Sequence, residues 1–169
     1  MISGSFLNEL LIQSQINKGL QSVSECVTAK KEKMKHDSSI TMDDIIRRAR
    51  IQLAVVSEYM PPLFTVAIDP KFVGNEFLVK KLGVFSSAKS PLRVVVTNND
   101  RGGDKLQMMF KNGDDLRQDI LTLQMIDIMD RIWLDNNLDL AMTPYKVLGT
   151  DCMQGYLEFN LNCTTLADI

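Results

Sequence analysis

The hydrophobic period of this chain changes at Pro61-Pro62, and no other feature constrains its fold as much. Upstream, apolar residues recur at helical spacing. Residues 5–28 place Phe6, Leu7, Leu10, Leu11, Ile16, Leu20 and Val23 near that period, which predicts a helix with an interruption at Gly19. Lys30, Lys31, Lys33 and Lys35 follow, and this short run with a glutamate inside it reads as a solvated helix end and linker. Thr41 precedes Asp44 by three, the spacing of a capping box with Asp in place of Glu. It opens a second helix over about 42–59 with Ile45, Ile46, Ala49, Leu53 and Val56 along one side. The two prolines then stop it, because they lack the N–H that a helix interior needs.

Downstream the runs are short and rich in β-branched or aromatic residues. Residues 63–68, 77–85, 92–98 and 105–111 predict antiparallel strands, separated by Asp69-Pro70, a Ser-Ser-Ala-Lys-Ser-Pro stretch and an Asn-Asn-Asp-Arg-Gly-Gly turn. A helix is predicted over about 115–134, with Leu116, Ile120, Leu123, Ile126 and Met129 opposite Asp127, Asp130 and Arg131. Two further strands are expected around Pro144 and Gly155. A helical lead, a sheet, one main helix and more strands make an α+β fold.

Composition narrows the function classes. A net charge of −2 gives no basic excess for nucleic-acid binding. Cys26, Cys152 and Cys163 are odd in number and fit neither metal-ligand nor disulfide spacing, so reduced thiols in a cytosolic protein are expected. No apolar run has the length of a membrane span, and the N-terminus lacks the basic region of a signal peptide.

The charged stretch at 110–124, FKNGDDLRQDILTLQ, carries the chemistry. Alternation puts Leu106, Met108 and Phe110 on one strand face and Gln107, Met109 and Lys111 on the other. Lys111 thus ends a strand. Asp115 is a natural N-cap, Asp114 lies near the positive end of the helix dipole, and Asp119 falls one turn further in, where the turn would bring it back toward Lys111. On spacing alone, capping acids and a solvated lysine are the commoner explanation. A strand lysine held by a helix acid is also how kinases aim an ammonium at nucleotide phosphates.

The same string closely resembles the catalytic domain of the phosphoinositide 3-kinases. VFSSAKSPL (84–92) looks like that family's serine- and lysine-containing phosphate loop, and MPPLFTVAIDP, LDLAMTPYKVLGT and GYLEFNL are similar to its entry strand and hinge region. The resemblance covers about residues 60–169. It implies a kinase-like N-terminal lobe over 61–169, ending just past the hinge with the C-lobe absent, preceded by a helical lead over 1–60 from a helical domain. By resemblance Lys111 would contact ATP phosphates, with Asp119 and Tyr145 lining the deep pocket beside it. Ser86, Ser87 and Lys89 would sit over the phosphates. Glu158 and Asn160 would offer backbone groups to adenine, with Leu157 behind them. Apolar Leu82, Val84, Val95 and Leu157 are candidate adenine walls, with packing in the sheet core the commoner explanation for such residues.

Three positions depart from the family's pattern. Phe85 stands where relatives often have Met, Arg93 where many have Trp, and Asn160 where a small apolar residue is usual. The Asp-Arg-His and Asp-Phe-Gly motifs do not occur, and the single histidine, His36, lies in the lysine-rich segment. The implied cofactors are ATP and Mg²⁺, the latter held by a C-lobe. The implied partners are phosphatidylinositol lipids and a regulatory subunit, and the expected location is cytoplasmic with peripheral recruitment to membranes. The implied parent activity is transfer of the ATP γ-phosphoryl to the 3-hydroxyl of inositol lipids, with this chain inactive alone. A noncatalytic nucleotide- or partner-binding module, a lipid 4-kinase and a related protein kinase are the alternatives.

Overall fold

The computed structural model describes residues 4–159 and 163–164. Helix α1 (Gly4–Met34) and helix α2 (Met42–Glu58) come first, followed by β1 (Phe64–Val66) and β2 (Asp69–Phe77). A single 3-10 turn (Val79–Lys81) leads to β3 (Gly83–Val84), β4 (Leu92–Asn98) and β5 (Leu106–Asn112). Helix α3 (Arg117–Asp135), β6 (Val147–Asp151) and β7 (Gln154–Glu158) complete the order. The strands form one antiparallel sheet in the order β1-β2-β4-β5-β7-β6, with β3 attached to β4. The sheet curls enough for Lys146, just before β6, to reach Asp69 of β2 at 3.8 Å. This is the expected α+β class with the layout of a kinase-like N-lobe.

The strand register sorts the side chains into two layers. Leu92, Val94 and Val96 of β4 share a face with Met108 and Phe110 of β5 and Tyr156 of β7. All are buried, and they join Ile16, Leu20, Val23 and Val27 of α1 and Ile45, Ala49 and Leu53 of α2 in one core. The lead helices therefore cover the inner face of the sheet. The opposite face carries Arg93 and Val95 of β4, Met109 and Lys111 of β5, and Leu157 of β7.

Several boundaries differ from the sequence expectations. Gly19 does not interrupt α1. A methyl there would sit 2.4 Å from Val56 Cγ1, so glycine leaves the room that the Val56 side chain of α2 occupies against α1. The lysine run is not a linker through Lys33, because α1 continues to Met34. Phe6, Leu7, Leu10 and Leu11 are exposed, and burial in α1 begins near Ile16. Asp69-Pro70 does not separate strands but opens β2, where proline is tolerated at a strand's first residues. The stretch 77–85 is not one strand: the 3-10 turn at Val79–Lys81 divides it. The capping box forms with both arms present, Thr41 accepting from the Asp44 N–H and Asp44 from the Thr41 N–H.

Candidate nucleotide site

Strand β5 delivers Lys111 to the outer face because Phe110 before it is drawn into the core. The chain then turns at Gly113, whose φ of 88° is a conformation that favours glycine. The Gly113 and Asp114 N–H groups donate to the Met153 carbonyl at 2.8 and 3.2 Å, tying the turn to the tip of the β6–β7 hairpin. Leu116 is buried and ends the turn. Lys111 keeps 21% side-chain exposure, and its ammonium lies 3.8 Å from the Asp114 carboxylate.

Asp114, not Asp119, is therefore the acid that meets Lys111. The helix begins only at Arg117, with Leu116 as its N-cap and no side-chain cap bond, so Asp115 is not the N-cap. Asp115 instead accepts from the backbone N–H of Arg117 at 3.0 Å and from its guanidinium at 2.6–3.0 Å. Asp119 sits in the first turn of α3, half-buried. The Arg117 side chain and its amide hold the Asp115 carboxyl at about 2, below the 3.8 of a free aspartate. A lowered folded value contributes stability that is present above the unfolded value and is lost as pH falls through the folded one. Carboxyl-carbon NMR should place the Asp115 midpoint near 2, and Arg117→Ala should return it toward 3.8. An unshifted midpoint in the parent chain would contradict this pairing.

The serine loop lies across the mouth of this turn. Ser86, Ser87, Ala88 and Lys89 are exposed. The loop is closed at its base by the Phe85 N–H on the Pro91 carbonyl at 3.0 Å and the Ser90 N–H on the Ser87 carbonyl at 3.1 Å. The Lys89 ammonium leans over Gly113, such that a methyl at Gly113 would lie 3.8 Å from its Nζ. Two ammonium groups, from Lys89 and Lys111, thus flank one glycine turn.

The outer face continues from Lys111 to Leu157, which is buried against the sheet beside Met109. Glu158 closes β7: its N–H donates to the Lys146 carbonyl at 2.8 Å, and its carboxylate accepts from the Lys146 N–H at 3.0 Å. Tyr145 stands with Pro144 over a groove of about 330 Å³ against Ile120, Leu123 and Asp127 of α3. Asn160 lies outside the described residues.

Phe159 was not anticipated from the sequence. It stacks on Phe85 with ring centres 6.2 Å apart, and the Arg93 guanidinium lies 5.8 Å over its ring. Two of the three residues that depart from the family's pattern, Phe85 and Arg93, thus meet one aromatic ring, beside a cavity of about 100 Å³ lined also by Gly83 and Val84. The Arg93 Nε is buried without a hydrogen-bond partner among the described residues, and the ring face of Phe159 is the contact that the guanidinium makes there. Val95 lies on the outer face, whereas Leu82 belongs to the inner core and Val84, paired with Leu92, packs against that core.

These features fit the polyphosphate of a nucleotide: ammonium groups, serine hydroxyls and exposed loop amides all donate to phosphate oxygens. Among the described residues no three His, Cys, Asp or Glu are grouped to hold an ion. Asp114 and Asp115 already face Lys111 and Arg117.

Residues 93–169 match the family described as "Phosphatidylinositol 3- and 4-kinase". The chain is 43% identical over 109 residues to "Phosphatidylinositol 3-kinase 1" of Dictyostelium discoideum, covering 64% of this chain and 7% of that protein. It is 34% identical over 167 residues to "Phosphatidylinositol 3-kinase 2" of the same organism, covering 98% of this chain and 8% of that protein. It is 39% identical over 126 residues to "Phosphatidylinositol 3-kinase age-1" of Caenorhabditis briggsae, covering 72% of this chain and 11% of that protein. The chain spans only 7–11% of the length of these relatives. With the lysine turn and the sheet in place, these matches mean that the chain belongs to the phosphatidylinositol 3- and 4-kinase family of lipid kinases.

Proposed function

We propose that this chain forms the N-terminal half of the ATP site of a phosphatidylinositol 3-kinase. The observation that carries the reading is the shared outer face. Lys111, Met109, Val95 and Leu157 line one side of the sheet, and the serine loop brings Lys89 to the turn that Lys111 enters. In this reading the outer apolar side chains take the adenine. The hinge backbone near Glu158 and Asn160 takes its polar edge. Ser86, Ser87, Lys89 and Lys111 hold the phosphates. Asp114 aims the Lys111 ammonium, and Asp119 of α3 and Tyr145 of the groove before β6 are assigned to the same pocket by family resemblance. Bound ATP supplies the γ-phosphoryl group; the residues of this chain bind and orient it by charge and position. The proposed acceptor is the 3-hydroxyl of an inositol lipid, reached by peripheral recruitment of the protein to membranes. The 169-residue chain alone is expected to transfer nothing.

Calorimetry with ATP–Mg²⁺ on the chain, first shown to be folded by circular dichroism, tests this reading. Weak binding is expected, and Lys111→Ala should reduce it roughly tenfold or more, the cost of one charge-assisted phosphate contact. Binding that Lys111→Ala leaves unchanged would return Lys111 to a solvated surface lysine and overturn the assignment.

A further inference from the structure

Helix α1 reaches the serine loop through one side chain. The buried stripe of α1 runs Ile16, Leu20, Val23, Val27, and the next position in that stripe is Lys31. Its apolar stem continues the stripe beyond the edge of the core, and its ammonium emerges at the base of the loop. Lys31 Nζ donates to the Ser90 hydroxyl at 2.6 Å and to the Ser87 carbonyl at 3.0 Å. The Ser90 hydroxyl donates in turn to the same Ser87 carbonyl at 3.3 Å. Ser90 is 2% exposed and sits at φ 50°, a left-handed conformation that a non-glycine residue holds only when its surroundings impose it.

Little else supports the loop from behind. A cavity of about 370 Å³ lies between α1 and the loop, lined by Thr28, Met34 and Lys35 on one side and Ser86, Ser87 and Ala88 on the other. Of the nearby cations, Lys35, just past the end of α1, pairs with Glu32 at 2.8 Å. The exposed residues 86–89 are therefore tied to α1 through the Lys31 contacts at the loop's base.

We propose that Lys31 is a positioning residue that clamps the base of the serine loop and so sets how residues 86–89 are presented to the nucleotide phosphates. The inference rests on the proposed nucleotide site. It adds that the helical lead governs the loop's competence: a shift of α1 along its axis would draw Lys31 from Ser90 and release the loop. A loop that is competent for only a fraction of the time weakens apparent affinity by that fraction.

The test compares Lys31→Met, Lys31→Arg and Ser90→Ala with the parent chain. Met keeps the buried stem and loses the ammonium. Arg keeps the charge and donors, and Ser90→Ala removes one acceptor without touching α1. Hydrogen exchange of residues 85–91, measured without nucleotide, reads the clamp itself. Calorimetry with ATP and with adenosine reads its consequence, because only ATP carries phosphates. Lys31→Met and Ser90→Ala should speed loop exchange severalfold and weaken ATP binding roughly three- to tenfold, leaving adenosine unchanged, and Lys31→Arg should largely restore both. Loop exchange identical in Lys31→Met and parent would overturn the clamp. Faster exchange with undiminished ATP affinity would overturn its role in presenting the loop. ATP binding insensitive to Lys111→Ala would count against the nucleotide site instead, while the exchange result still decides whether Lys31 holds the loop.

Discussion

Phe110→Ala is expected to destabilise the chain by about 3–5 kcal/mol, the usual cost of truncating a fully buried aromatic side chain. Phe110 is 0% exposed and lies at the centre of the inner layer. Its ring packs against Tyr156 at 5.2 Å between centres, and its backbone pairs with Leu92 on one side and Tyr156 on the other. Tyr156 is committed in turn to α1, where its hydroxyl donates to the Asn17 side-chain oxygen. Burial pushes that phenol well above its usual range, so it stays a donor even in alkaline solution. Helix α1, β7 and β5 therefore meet at Phe110, and the cavity left by alanine borders all three. The measurement is urea unfolding followed by circular dichroism, with the midpoint falling and the slope preserved. Because Phe110 directly precedes Lys111, nucleotide binding should weaken along with stability. A midpoint within experimental error of the parent would mean that this layer is not the core.

Gly155→Ala should cost about 3 kcal/mol or more, although it adds only one methyl group. Gly155 faces Lys111 across the β5–β7 ladder. A Cβ there would lie 2.2 Å from the Leu148 carbonyl oxygen, 2.9 Å from Gly149 Cα and 2.6 Å from Leu116 Cδ1. The first two are backbone atoms of the paired strand β6, so the clash cannot be relieved by a rotamer change. Either the β6–β7 ladder separates or Leu116 leaves its buried position at the end of the lysine turn. Thermal unfolding would show the loss as a lower Tm. In whatever fraction remains folded, the displaced turn should loosen the Lys111–Asp114 pair and lower ATP affinity further than Phe110→Ala does at equal stability. An alanine variant with the parent's Tm would show that β6 and β7 do not approach as closely as described.

The separate fates of Asp114, Asp115 and Asp119 show how far charge spacing can be trusted. All three precede or open one helix, and spacing alone suited Asp115 to the cap and Asp119 to Lys111. The positive φ of Gly113 and the anchoring of the turn on Met153 changed both assignments, placing Asp114 beside the lysine and leaving Asp115 to Arg117. The second determinant is not local, because Met153 belongs to a hairpin formed later in the chain.

What the sequence determined by itself was whatever depends on neighbours within a few residues. The period change at Pro61-Pro62, the Thr41 capping box, the span of β4 and the alternation that sends Phe110 inward and Lys111 outward all follow from local sterics and hydrogen bonding. The motif strings also carried the family, which the family match and the relatives bear out. Only the tertiary structure decided the rest. Gly19 reads locally as a helix breaker, yet it is the contact that lets α2 lie against α1. Lys31 reads as one solvated lysine among four, yet the helix phase set by Ile16, Leu20, Val23 and Val27 turns it under a loop 56 residues away. Phe159 joins Phe85 and Arg93 only because β3 and β4 lie beside one another and the chain after β7 crosses near them. In each case the outcome depends on distant segments brought together by burial, which local pattern does not record.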